Sequence, residues 1–491
     1  MADAAVSADR NPPQVKYIVW NEGCERFSFY GMRSILTVYM AQYLLLADHE
    51  AEANYHWFVM ACYLTPLVGG WLADRFFGRY RIIFWLSFGY VVGHATIAAW
   101  PSQWGLFLGL ALIALGSGGI KPCVSAYVGD QFQPEQKKLL ERVYGLFYWM
   151  VNLGSVTATL AIPWFLKRFG PSVAFAVPGL LMCLALVIFY LGRRGYVNAP
   201  PTGPNPHSFG RVVAHAVRRL GTRPGHWLDA ARERHPAEAV EGSKAVFRIF
   251  GVFAAVTAFW ALFDQHGSSW VLQARRMDLS LAVIGGEGSM EASQLSALNP
   301  LLVLVLIPIL SRGVFPLLER RGVEVTPLRK ITAGMFIAVL SFVCAAVVEH
   351  VLAAGHQPSA LWQIPQYLFL TVAEVLVSVT GLEFSYTQAP RAMKSTIMSI
   401  WYLTIAFGNF LTATVSRVNT FHGAAYFWFF SALMLAGAFG FMAIARRYRP
   451  VDFSAVAAPI LPATGTPLPT AGGGAAQTLR FNLPRSTGKR E

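Results

Sequence analysis

Apolar residues in this chain fall in long runs with short polar breaks, not in the alternation of a half-buried strand. A helix needs about 20 such residues to cross the hydrocarbon core of a bilayer. Read by length against Gly, Pro and polar punctuation, the runs predict membrane helices near 17–46, 54–76, 80–100, 104–129, 141–166 and 172–192. A second set falls near 245–272, 294–318, 328–351, 362–389, 392–416 and 423–446. A helix satisfies its own backbone inside lipid, so the pattern predicts an all-α membrane protein of about twelve spans in two six-helix bundles. The divisions expected are an N-terminal segment 1–16, a first bundle 17–192, a linker 193–244, a second bundle 245–446 and a disordered tail 447–491.

Charge orients this arrangement. Arg75, Arg79 and Arg81 lie between spans two and three, Lys137, Lys138 and Arg142 between four and five, and Arg320, Arg321, Arg329 and Lys330 between eight and nine. The loop 47–53 carries Asp48, Glu50 and Glu52 with no Lys or Arg, while Lys167, Arg168, Arg275 and Arg276 break the alternation. Positive loops face the cytoplasm, so both termini and the linker are expected there, in a multi-pass protein of the cell membrane. The net charge of +14 is then a property of loops and not of a nucleic-acid site. With 55% hydrophobic and 13% charged residues, against about 25% charged in soluble domains, the composition excludes an ordinary soluble enzyme.

The five cysteines lie in apolar stretches without a Cys-x-x-Cys pair and read as packing residues, not as a disulfide or zinc framework. The first 16 residues show no apolar core of a signal peptide. Phe209 to Arg219 and His226 to Arg234 have apolar residues at helical spacing beside a basic face, as expected of short helices lying on the inner leaflet or on the bundle. Leu461 to Gly465 matches a cell-wall sorting motif, but no apolar segment follows it.

A charge inside an apolar helix costs roughly 2.5 to 3.5 kcal/mol on insertion scales and marks function by default. Glu22, Glu25, Arg26 and Arg33 all lie in the first span, and the spacing of 22, 26, 30 and 33 puts Glu22, Arg26, Tyr30 and Arg33 on one stripe. The fourth span carries Lys121 after Gly116-Ser117-Gly118-Gly119, glycines that suit close helix approach; the spacing of a phosphate loop is absent. Asp264 in the seventh span and Glu374 in the tenth offer acids to these bases. Charge pairs between the two bundles would act as gates, each formed only while its side is closed. His56, at the start of the second span, has a side-chain type suited to sensing protons.

These residues carry a resemblance. Glu22-Gly23-Cys24-Glu25-Arg26-Phe27-Ser28-Phe29-Tyr30-Gly31 is similar to the Glu-x-x-Glu-Arg-Phe-x-Tyr-Tyr-Gly signature of the proton-coupled oligopeptide transporters of the major facilitator superfamily, with Phe29 in place of the first Tyr. Gly69 to Gly78 and Phe147 to Ser155 resemble two further signatures. Tyr55-His56, Cys62 to Pro66, Gly118 to Ala126, His226 to Asp229, Phe259 to Gln265 and Ser378 to Phe384 resemble the mammalian intestinal and renal members. The large extracellular domain of those members has no counterpart between Val351 and Ala360.

Carried over, the resemblance implies a symporter of protons with di- and tripeptides, working without a cofactor, in the lipid bilayer, and functional as a monomer. It implies that Arg33 and Lys121 receive the peptide carboxylate, Glu374 and Asn152 its amino terminus, and that Tyr30, Tyr63, Trp260, Asn299 and Trp401 line the pocket. Glu22, Glu25 and His56, with Arg26 and Asp264, would handle protons, and Arg33–Asp264 and Lys121–Glu374 would be gate pairs. The mammalian third pair lacks its acid, since Ser311 stands where Arg248 would need one. Transport of nitrate or another small anion is the alternative within the fold, and Glu374 has no use there. An intramembrane enzyme is the remote one, and no His-Glu-x-x-His or Gly-x-Ser-x-Gly motif supports it.

Overall fold

In the computed structural model, residues 11–448 are described except 202, 204, 222–224, 285–287 and 389–392. The tail 449–491, with its sorting-like motif, and residues 1–10 lie outside the described residues. The first bundle consists of α1 (Val15–Val38), α2 (Asp48–Leu72), α3 (Arg79–Ala99), α4 (Gln103–Asp130), α5 (Lys137–Phe169) and α6 (Pro171–Leu191). A linker helix α7 (Phe209–Arg218) follows. In the second bundle the seventh span is α8 (Ala237–Phe263) with α9 (Ser269–Ala274), and the eighth is α10 (Leu298–Pro308) with α11 (Phe315–Arg320). The ninth is α12 (Pro327–Ala353), the tenth α13 (Ile364–Glu374) with α14 (Thr380–Thr387), the eleventh α15 (Lys394–Val418) and the twelfth α16 (Ala424–Arg447).

Of the helices that begin earlier than hydropathy indicates, α2 and α8 do so by the most. The second span was expected from 54 and the seventh from 245, whereas α2 starts at Asp48 and α8 at Ala237. Their first turns hold Asp48, Glu50 and Glu238, acids that suit the positive end of the helix dipole and that hydropathy reads as loop. Among the described residues, ten helical segments are long and apolar enough to cross a membrane. α1 and α2 are not among them, because α1 carries its charged stripe and α2 contains Asn54, Tyr55 and His56.

Within the first bundle α1 packs between α5 and α6, and α2 packs on α4. Glycine permits both contacts. A Cβ on Gly154 of α5 would stand 2.9 Å from the Gly23 carbonyl oxygen and 3.0 Å from the Phe27 amide of α1. One on Gly69 of α2 would stand 2.6 Å from the Gly118 carbonyl oxygen of α4. The run Gly116 to Gly119 thus serves helix packing. Across the bundles, α2 lies along α15; within the second bundle, α8 packs on α15 and α16. The tenth span is interrupted by a π-helical turn, Val375–Val379, immediately after Glu374. Such a turn inserts a residue and re-aims the side chains beside it.

The linker joins one end of the molecule, called here the linker end; the other is the distal end. Gln131 at the foot of α4 holds the backbone of Val197 by two hydrogen bonds of 2.9 and 3.1 Å, and Tyr127 donates to Asn198 at 2.7 Å. On the other bundle, Lys244 of α8 donates to Asp229 at 2.7 Å. That bond, with Arg232 adding to it, holds the Asp229 carboxyl below its usual range. α7 buries Val212 and Ala216 on α8 and on a 3-10 turn, Trp227–Glu233. The segment 226–234 is that turn and not an α-helix: His226 caps it through its own ring, and Pro236 closes the register two residues later.

Candidate functional site

On α1 the stripe folds in on itself. Arg26 Nε lies 2.9 Å from Glu22 Oε1 and 2.6 Å from Glu25 Oε2, and all three side chains are buried. Two acids share one guanidinium, so the cluster holds one carboxylate more than its cation neutralises locally. The next base along the stripe, Arg33, pairs elsewhere. Its Nη2 bonds Asp264 Oδ1 of the second bundle, and its Nε donates to the Tyr55 hydroxyl at 2.6 Å. A cation stabilised by a carboxylate and a phenol oxygen, with little water, makes a strong bridge.

Asp264 is the hub of a chain of polar groups. Its Oδ2 accepts from Asn409 Nδ2 at 2.8 Å. Because the Asn409 amide nitrogen is used there and on the Ile405 carbonyl, its oxygen faces His56 Nδ1 at 2.7 Å. His56 Nδ1 is therefore the donor, and Nε2, 2.8 Å from Ser268 Oγ, is the acceptor, an assignment made from the network. The imidazole is 0% exposed and satisfied at both nitrogens while neutral. A second proton on Nε2 would force the Ser268 hydroxyl to turn its hydrogen away. The path His56, Asn409, Asp264, Arg33 links the histidine to the ion pair without a gap.

Further contacts between the bundles cluster at the same distal end. Thr37 donates to the Gly267 carbonyl at 2.8 Å, Arg417 pairs with Glu50 at 2.8 Å, and Lys167 with Glu291 at 2.6 Å. Gln294 donates to the Leu160 carbonyl at 2.7 Å, and Arg275 approaches Asp48 at 3.7 Å.

Midway along the bundle the picture changes. Lys121 and Glu374 are not paired with each other in this structure. Lys121 Nζ stands 3.9 Å from the Phe29 ring centre and 4.8 Å from that of Tyr63, so two aromatic faces serve its charge. Phe29, where the resemblance expects Tyr, offers a ring face and no hydroxyl. Glu374 Oε2 accepts from Asn299 Nδ2 at 2.7 Å, and the same amide reaches Thr371 at 3.2 Å. Lys121, Glu374, Tyr30 and Tyr63 are half-buried. Asn152 spends its amide on the Tyr148 carbonyl of its own helix, at 2.9 Å.

The aromatic wall differs from expectation at one place. Trp260 is backed by Trp401, their rings 6.1 Å apart and nearly perpendicular. Trp401 is 2% exposed and packs on Gly381 and Phe253, so it supports the wall from behind. Its neighbour Tyr402, half-buried, faces Tyr63 across the bundles with ring centres 6.3 Å apart. The Trp260 indole nitrogen is buried without a hydrogen-bond partner. Tyr55, Ser268, Asn409 and Tyr402 are site residues the sequence reading did not single out. A lone Asn in the apolar run Ile405 to Leu411 was the available signal for Asn409. Arg248 is exposed beside Tyr448 at the linker end.

Two six-helix bundles joined by a linker, with charged groups held between them, define a membrane protein of the major facilitator fold. The sequence profile of the POT family matches residues 80–429. The chain is 39% identical over 394 residues to mouse solute carrier family 15 member 2, covering 75% of this chain and 54% of that one. It thus spans about half the length of the curated relatives it matches. It resembles the crystal structure of an auto inhibited POT family peptide transporter, with 39% identity, a TM-score of 0.83, and 90% of this chain and 98% of that one covered. For the in meso structure of the POT family transporter PepTSo the values are 40%, 0.82, 89% and 99%. The chain belongs to the POT family.

Proposed function

We propose that this protein is a proton-coupled symporter that brings di- and tripeptides into the cell by alternating access. The observation that carries this reading is the pair of unmatched charges midway along the bundle. Lys121 meets aromatic faces and Glu374 a single amide, so each has room for a stronger partner. A zwitterionic peptide supplies both, its carboxylate to Lys121 and its amino group to Glu374, with Arg33 able to join the carboxylate only once its bond to Asp264 opens. Tyr30, Tyr63 and Trp260 offer walls that take varied side chains without demanding particular hydrogen bonds. A small anion would leave Glu374 unused, which disfavours nitrate.

In this reading the linker end faces the cytoplasm and the distal end the outside. Arg33–Asp264 and the His56 chain seal the outer side, and the separated Lys121 and Glu374 belong to the inward-facing state. The carboxylates beside Arg26 carry the coupled proton: protonation of one cancels part of its attraction to the guanidinium and frees α1 to shift. The relatives named above include a peptide transporter, which supports the substrate class. No cofactor is required, and the monomer contains both halves of the site.

The energetics are adequate. One proton moving down ~100 mV supplies about 2.3 kcal/mol, and one pH unit about 1.4 kcal/mol more. Together they permit roughly 500-fold accumulation of a neutral peptide per proton. In proteoliposomes, an inward proton gradient should raise dipeptide uptake well above the no-gradient rate, and C-terminal amidation of the peptide should weaken competition for it. Gradient-independent uptake would sink the proposal.

A further inference from the structure

Glu52 lies one helical turn before His56 on α2, at the distal seam, and is 8% exposed. The other acids of this seam have cations: Asp264 has Arg33, Glu50 has Arg417, Asp48 has Arg275, and Glu349 has Arg276 at 2.7 Å. Among the described residues Glu52 is in no ion pair. It shares a cavity with Tyr426 of α16, whose hydroxyl lies 3.2 Å from that of Ser416 on α15.

That cavity, of about 300 Å³, lies at the junction of α2 with α9, α12 and α16, beside the end of α15 at Asn419. The charged and titratable groups facing it are Asp48 and His49 of α2, Arg276 after α9, Glu349 of α12, and His422 and Tyr426 of the second bundle. Arg276 is committed to Glu349, which also accepts from Gln273 at 3.0 Å. Asp48 and Glu349 repel an anion at Glu52. A buried carboxylate with acid neighbours and no cation is costly as an anion, whereas the protonated acid is neutral and can donate to a neighbouring hydroxyl. Glu52 stands on the first bundle and the Ser416–Tyr426 hydroxyl pair on the second, so they are brought together only while the seam is closed.

We propose that Glu52 is a further proton-binding site of the transporter, loaded in the outward-closed state, whose ionisation on contact with the outer solution releases α2 from α15 and α16. The inference rests on the alternating-access reading above, but it concerns a carboxyl outside the peptide site and separate from the α1 cluster. It makes closure of the outer face depend on the pH of the outer solution.

The test needs neither substrate nor gradient, so it fails independently of the transport assay. Spin labels at Gln103→Cys and His356→Cys, in a background with the five native cysteines replaced, report the width of the distal mouth by pulsed electron resonance in nanodiscs. Raising the pH from 5 to 8.5 should widen the mouth in the otherwise unaltered protein. Glu52→Gln keeps a donor and an acceptor without a charge, so it should hold the mouth narrow and move the midpoint upward by at least one unit or abolish it. Glu52→Asp should keep the response, which separates loss of titration from misfolding. A Glu52→Gln mouth that opens with the same midpoint and amplitude as the parent overturns the proposal, as does a parent mouth indifferent to pH.

Discussion

The distal seam and the mid-bundle site use the same residue types to opposite ends. At the seam, Arg33 has both a carboxylate and a phenol, Asp264 has both a guanidinium and an amide, and His56 is bonded at both nitrogens. Midway, Lys121 rests on rings and Glu374 on one amide. A gate is stable because its charges satisfy each other. A binding site leaves them partly unsatisfied, so that a ligand of opposite charge at its two ends has something to offer. The cost of that incompleteness falls on the empty state, which is the state a transporter must leave.

The comparison breaks most visibly at Asp264. Asp264→Ala strips a dry guanidinium of its carboxylate, a loss of about 3 to 5 kcal/mol for a buried pair. Gradient-driven peptide uptake should fall by roughly 100-fold or more, and the distal mouth should stay open. At the rim, Arg417 is 59% exposed, so Glu50→Gln should cost under about 1 kcal/mol and change uptake by no more than about threefold. Comparable losses in the two variants would show that the polar chain from His56 to Arg33 contributes nothing beyond ordinary surface pairing.

A smaller effect is expected midway. Lys121→Gln and Glu374→Gln should each weaken peptide binding by about ten- to a hundredfold, the range for one charged hydrogen bond of about 1.5 to 3 kcal/mol. Neither should lower the melting temperature of the unliganded protein appreciably, because neither residue is in an ion pair there. Lys121→Gln should also erase the discrimination against C-terminally amidated peptides, while Glu374→Gln should erase that against N-acetylated ones. Isothermal titration with the three peptides resolves the pattern. If both variants lost stability before affinity, these residues would belong with the seam.

Much of this division was legible in the sequence, for a physical reason. Charges in an apolar helix stand out, so Glu22, Glu25, Arg26, Arg33, Lys121, Asp264 and Glu374 draw attention without any structure. What could not be read is which neutral groups join them. Tyr55, Ser268 and Asn409 are unexceptional in composition, and the His56 to Asn409 contact spans 353 positions of chain, so no local period encodes it. The face of a helix turns about 100° per residue, so Tyr402 faces Tyr63 across the bundles while Trp401, to which the resemblance gives a place in the pocket lining, packs behind the wall. Lys121 and Glu374 illustrate another limit: the sequence presents both members of a pair, and only a conformation decides whether they meet. The water-exposed first turns of α2 and α8 escaped because hydropathy measures affinity for lipid, not helicity.

The smallest expected effect lies in the linker, where the same contrast between satisfied and unsatisfied groups recurs outside the membrane. His235 is 7% exposed, and its Nδ1 sits 3.1 Å from that of His207, with His215 stacked edge-on nearby. Burial first, then the neighbouring His207, His215, Arg234 and Arg211, holds its pKa below the usual histidine value. The docked linker therefore prefers neutral His235, while an undocked one titrates near 6.5. Stability from this group is complete above that pH and drains away as pH falls from about 6.5 toward the docked value, because the undocked state then binds more protons. Hydrogen exchange in α7, normalised to α12, should accelerate between pH 7.5 and 5.5 by less than about tenfold, since the window ends only about one unit below the undocked value. His235→Phe should flatten the slope while keeping the packing. An unchanged slope in that variant would take His235 out of the pH dependence; Asp229 does not replace it, since its bond to Lys244 weakens only at much lower pH.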